Sequence, residues 1–263
     1  MMTRFSEMVQ DWLGWCPMAA AAQRKTEGQK TAVSQEKATE AGPVTGREIL
    51  FSRLTWAVVG LSWIIALAAL PYLPEVMPVH WSLFGEADGF TGRLPGAFGL
   101  PVIITLTVVL LRVLPRFEQM KEGLGAAKDI YQILLFSSVT LLLVIEMVTL
   151  LSSAGTDVPL AVIIPILLGV FFIVMGGLMP SLPRNTTIGF RLPWTIRDEM
   201  VWKRTHEHGG PLLVLAGAVI VLGSPFAGTW ALSLMLVIFL AVSLYLTIWS
   251  YRLAKAGATG VVE

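Results

Sequence analysis

The chain has 263 residues, 55% of them hydrophobic and only 14% charged, against about 25% charged for an average soluble domain. That composition excludes a soluble globular domain as the whole molecule, and a formal net charge of +1 gives no footing for nucleic acid as a direct partner. Cys16 is the one cysteine, so no intrachain disulfide forms and the residue reads as an inert thiol or small apolar contact.

In chain order, Phe5, Met8, Val9, Trp12 and Leu13 recur at the spacing of one helical stripe, which predicts an amphipathic helix within an N-terminal segment, 1–22. This helix either lies on the membrane surface with Trp12 and Trp15 at the interface, or packs on the cytoplasmic face of its own protein. Arg4, Glu7 and Asp11 interrupt any apolar core, so the segment does not read as a secretory signal. Residues 23–50 are polar and form a flexible linker, too poor in apolar side chains to offset the entropy of ordering. Six apolar runs follow, at 54–73, 97–114, 130–152, 158–179, 211–227 and 230–250, near the length of about 20 residues that crosses a bilayer. The expectation is an all-α polytopic membrane protein of six transmembrane helices, with lipid as its first partner. It divides into a membrane pair with an outer loop, 51–130, a second membrane domain, 131–253, and a tail, 254–263. The fifth run contains Gly217, Gly223 and Pro225 and is expected to bend or end early, with SPFAG turning tightly into the sixth.

Basic residues fix the expected orientation. Of the 19 lysines and arginines, all but Arg93 fall in alternate segments on one side. The positive-inside rule makes that side cytoplasmic, in the cell membrane, with both termini inside and the loop around His80 outside.

Two polar features stand apart from the cytoplasmic segments. The outer loop PEVMPVHWSLFGEADGFTGRLPG has prolines and glycines for turns, with Glu86, Asp88 and Arg93 available to one another or to a ligand. It is expected to be an ordered, capped loop that meets a peptide. Glu146 lies inside the third run, in LLLVIEMVTLL. An acid within hydrocarbon is a functional candidate by default. It either binds a proton or cation, or is a hydrogen-bonded carboxyl that fixes helix packing.

The densest chemistry is the stretch Pro180 to Pro211, PSLPRNTTIGFRLPWTIRDEMVWKRTHEHGGP. Pro180 and Pro183 stop the preceding helix, and Gly189 lets the backbone bend before Arg191. Thr195 and Asp198 fit a capping box opening a short helix, Ile196 to His208, which Gly209-Gly210 would end. Asp198, Trp202, Thr205 and His206 share one face of it; Arg197, Lys203 and Arg204 make the other face basic. His206-Glu207-His208 has the density of a metal site, but residues two apart on a helix point about 200° apart, and His80 falls across the membrane. No metal or cofactor site is assigned. No HExxH, Walker glycine loop or GxSxG occurs, and no catalytic residue is assigned. Arg191 beside Trp194 and Trp202 suits either a lipid-headgroup site or a docking loop for a protein partner.

Asn185, Gly189, Arg191, Pro193-Trp194-Thr195, Trp202 and Thr205-His206 resemble the N-x-x-x-G-x-R-x-P-W-T…W-x-x-T-H motif of the SdpI family of immunity membrane proteins. Leu73-Pro74, Pro78-Val79-His80-Trp81, Gly85 to Gly89 and Arg93 are similar to the short domain of unknown function that often precedes that motif. The resemblance covers residues 54 to 250. It implies protection against a secreted, membrane-active toxic peptide, with signalling through a sequestered cytoplasmic repressor as a further partner, and no covalent chemistry. Two other readings stay open from the residues alone: a small transporter or channel using Glu146, and a membrane-embedded enzyme with His206 as its base.

Overall fold

A computed structural model describes residues 46–113 and 127–258. The N-terminal amphipathic segment, most of the polar linker, Cys16 and the end of the tail lie outside the described residues.

The first apolar run is α1, Gly46–Ala69, closed by a 3-10 turn that carries Pro71. The chain then forms a two-stranded antiparallel hairpin, β1, Val76–Trp81, and β2, Ala87–Gly92. Strands were not expected in this loop. Its turn is built by Ser82, whose Oγ accepts from the amides of Phe84 and Glu86 at 3.2 and 3.3 Å, and by Gly85 at φ 80°. There follow α2, Arg93–Val113, α3, Lys128–Ser153, and α4, Leu160–Leu178. The polar stretch holds a five-residue helix α5, Pro193–Arg197, and leads into α6, Glu199–Ala227, and α7, Ala231–Ala258. Between α6 and α7 the reversal is made at Gly228, φ 56°. Five helical stretches are long and apolar enough to cross a membrane, the last of them, Glu199–Ala256, being the α6 and α7 pair. The protein is an all-α multi-pass membrane protein, with one small hairpin among the described residues.

Two three-helix groups make up the bundle. In the first, α1, α2 and α3 pack through Val59, Ile104, Val108, Leu135, Val139 and Leu143, all buried. In the second, α4 and α6 meet backbone to backbone. A Cβ on Gly176 would lie 2.6 Å from the Gly210 carbonyl oxygen, and one on Gly210 would lie 2.7 Å from that of Gly176. Gly169 and Gly217 repeat the arrangement seven residues along each helix, at 2.9 and 2.5 Å. Small residues that let helices approach this closely are a recurring means of association in lipid, where no hydrophobic drive separates helix from tail. Gly209-Gly210 therefore do not end the helix; they thin it. α6 runs on through Pro211, tolerated because neighbouring helices and local adjustment satisfy the freed backbone groups, and Gly217 is a packing residue, not a bend.

The hairpin caps one end of both groups. Met77 is fully buried with Leu73, Ala97 and Leu150 of the first group. Its turn reaches the second: Gly85 sits against Ala161 of α4, Phe84 meets Trp230 edge-on at 5.0 Å, and Ser233 of α7 donates to the Leu83 carbonyl at 3.1 Å.

Candidate functional site

At the opposite end of the bundle, the chain between α4 and α6 folds into a compact loop. Its hub is Asn185, only 3% exposed. The side-chain amide donates to the Pro183 carbonyl at 2.9 Å, and Oδ1 accepts from the amides of Thr187 and Ile188 at 2.8 and 2.7 Å. Asparagine side chains close turns in this way. Gly189 follows at φ 107°, a conformation favouring glycine. Space demands glycine as well: a Cβ there would lie 2.5 Å from His206 Nε2.

His206 itself is buried, 1% exposed, and stacked on Trp202 with ring centroids 4.1 Å apart. The Phe190 amide points at its Nε2 at 3.0 Å, while Nδ1 lies 2.8 Å from the Trp202 carbonyl. An amide can only donate and a carbonyl can only accept, so Nδ1 carries the proton and Nε2 is the acceptor. The imidazole is neutral and both nitrogens are occupied. That leaves no lone pair for a metal and no free base. His208 turns elsewhere, its Nε2 3.0 Å from the Tyr245 hydroxyl and its ring stacked on Trp249.

Trp202 donates from Nε1 to the Leu182 carbonyl at 2.9 Å and packs with Leu182, Ala127, Ile130, Ile188 and Ile196. It thus seats the loop on the start of α3. Thr195 Oγ1 accepts from the Leu192 amide at 2.9 Å and lies 2.8 Å from the Phe190 carbonyl. The expected capping box between Thr195 and Asp198 is not formed. Pro193 opens α5, which ends at Arg197, and Asp198 is the N-cap of α6, its Oδ1 accepting from Met200 and Val201. The short helix expected over Ile196 to His208 is therefore two helices. The physical reason is that one aspartate cannot serve as third residue of one helix and cap of the next.

Trp194 leaves the loop to reach α7, donating to Ser250 Oγ at 3.0 Å and meeting Tyr251 edge-on. Arg191 is exposed and donates to the Thr187 carbonyl at 2.9 Å. Thr205 is fully buried and its hydroxyl has no partner among the described residues. Asn185, Gly189, Arg191, Pro193, Trp194, Thr195, Trp202, Thr205 and His206 are thus brought to one end of the bundle. Most of them hold the loop, and Arg191 is exposed at this end together with Arg197, Lys203 and Arg204, Lys203 lying 3.8 Å from Glu207.

His80 is not part of this group. It sits on the hairpin, Nδ1 2.5 Å from Asp88 Oδ1, both side chains exposed. Asp88 does not meet Arg93, whose Nε donates instead to the Pro74 carbonyl at 3.3 Å. Glu146 is separate again, 1% exposed between α3 and α1, with Ser62 Oγ donating to its Oε2 at 2.5 Å.

Residues 181–250 match the SdpI/YfhL protein family, and residues 57–105 match a domain of unknown function, DUF1648. The Immunity protein SdpI of Bacillus subtilis (strain 168) is 30% identical over 201 residues, which cover 75% of this chain and 93% of that protein. The chain belongs to the SdpI family. No solved structure matches it. The SdpI segment spans the loop, α5, α6 and most of α7, while the DUF1648 segment takes in most of α1, the hairpin and the first half of α2. Glu146 lies between the two matched segments.

Sequence reasoning missed three groups that the SdpI loop and its bundle depend on. Ser250 and the Leu182 carbonyl anchor the two tryptophans and carry no sequence signal. Ser62 does carry one: Thr55, Val59, Ser62 and Ala66 recur at helical spacing as the buried stripe of α1, and a hydroxyl on such a stripe faces the bundle.

Proposed function

We propose that this protein is a membrane immunity protein that protects the bilayer holding it against a membrane-active toxic peptide. The observation that carries the reading is the match to an immunity protein over nearly that protein's whole length. On this reading the hairpin end, with His80, faces outward and meets the peptide. The loop end is cytoplasmic, as the lysine and arginine distribution supports. Its basic face is the docking surface for a cytoplasmic repressor, whose capture reports the peptide.

Cells expressing the protein should survive a membrane-active peptide that kills cells without it, and equal killing would sink the immunity reading. Arg191→Ala tests the docking surface. The side chain is exposed and makes one contact to a backbone carbonyl, so the variant should keep normal membrane abundance and lose peptide-dependent repressor capture. Unchanged signalling by an Arg191→Ala, Arg197→Ala variant at normal abundance would remove the loop from the mechanism.

A further inference from the structure

Glu146 is used by neither end of the molecule. Its carboxyl is 1% exposed; Ser62 Oγ occupies Oε2, and Oε1 has no hydrogen-bond partner among the described residues. A carboxylate and one hydroxyl are too few oxygens for a metal cation. An ionised carboxylate left half-paired in hydrocarbon is far costlier than the neutral acid.

The surroundings are asymmetric along α3. Toward the hairpin end, Thr149 and Ser153 follow Glu146 at three and seven residues, on one face of the helix. Thr149 is buried, and Ser153 Oγ is buried without a partner among the described residues. Met147 and Leu151 occupy the outer face, 40% and 51% exposed, so the polar stripe faces the bundle. Ser153 is the last residue of α3, about 10 Å along the axis from Glu146. In the other direction Leu143, Val139 and Leu135 close against Val59, Ile104 and Val108. On the Glu146 face of α3, polar side chains lead toward the hairpin end, while in the other direction the apolar plug stands between Glu146 and Gln132, whose Oε1 is again buried without a partner among the described residues; Thr140 lies about 120° off that face.

We propose that Glu146 is a proton-binding site within the membrane, reached from the hairpin end only through Thr149 and Ser153. The proton sits on Oε1 while Ser62 holds Oε2. The apolar plug makes this a dead-end site, not a passage, which separates it from a transporter's carboxylate.

Among the described residues, no other ionisable group sets its state. The elements packed against α3 are α1, α2, α4 and β1. α4 has no titratable side chain, and α1 has Arg47, Glu48 and Arg53 only in its first turns. Arg93 and Arg112 stand at the two ends of α2, and His80 of β1 is engaged with Asp88. Lys128, Asp129 and Tyr131 belong to the first turn of α3, as does its contact with Trp202.

The proposal does not rest on the immunity reading. Its test is infrared spectroscopy of the full chain in lipid vesicles near neutral pH, following carboxylic C=O bands and their exchange in deuterated water. A neutral-acid band should be present, lost in Glu146→Gln and shifted in Ser62→Ala. Should Glu146→Gln not fold, the Ser62→Ala shift makes the assignment alone. Thr149→Val and Ser153→Ala should each slow exchange of that band several-fold, and Val139→Ala should leave it unchanged. Absence of a neutral-acid band would overturn the proposal. So would exchange indifferent to Thr149 and Ser153, or exchange that quickens in Val139→Ala.

Discussion

The two halves of the bundle are held by different physics. α1, α2 and α3 interdigitate large aliphatic side chains, so their separation is set by rotamers that can shift by tenths of an ångström. α4 and α6 touch through carbonyls seated where a Cβ would be, and backbone has no rotamers to shift. The first contact tolerates small changes of volume and the second does not. At the two ends, the hairpin and Trp202 tie one half to the other.

The largest effect expected on this picture is at Trp202, the tie at the loop end. Truncating a buried tryptophan costs about 3 to 5 kcal/mol. Trp202→Ala should lower the thermal midpoint of the purified protein and raise proteolysis within residues 182–197. A loop as protected as in the parent would mean that Trp202 is not the tie. Next come the glycines: Gly176→Ala and Gly210→Ala should each cost about 1 to 3 kcal/mol through overpacking. Ile104→Val in the other half should cost about 0.5 to 1.5 kcal/mol. Thermal midpoints in one detergent rank the three, and a Gly176→Ala variant no worse than Ile104→Val would break the comparison. Smallest is the hairpin's surface pair. Asp88→Asn removes an exposed partner of His80, and exposed pairs contribute about 0.2 to 1 kcal/mol. Its midpoint should hardly move; a large drop would show that the pair clamps the hairpin onto both halves.

The spans were legible because each is a long apolar run, and each observed helix overlaps the expected range. The hairpin was not. β1 is broken by Pro78 and bulged beyond it, and four of the six residues of β2 are alanine, glycine or aspartate, so neither shows a strand's alternation or composition. Gly209-Gly210 carry the residue type of a helix end, and only the partner helix reveals that they are a seat for Gly176. The motif residues could be picked out by position, yet their roles depended on partners far away. Asn185 is local, whereas Trp194 meets Ser250 and Glu146 meets Ser62, 56 and 84 residues distant. Nothing in one sequence pairs such positions.

The loop between α4 and α6 has a consequence for quality control. Its hub asparagine is supplied by the chain leaving α4, but the histidine that receives the Phe190 amide and the tryptophan beneath it belong to α6. Those rings reach the loop only once α6 has docked on α4, and the glycine seats admit a narrow range of registers. The loop's shape is thus a certificate of assembly: a partner that reads it would pass over nascent chains whose α6 is still undocked and bind finished molecules alone.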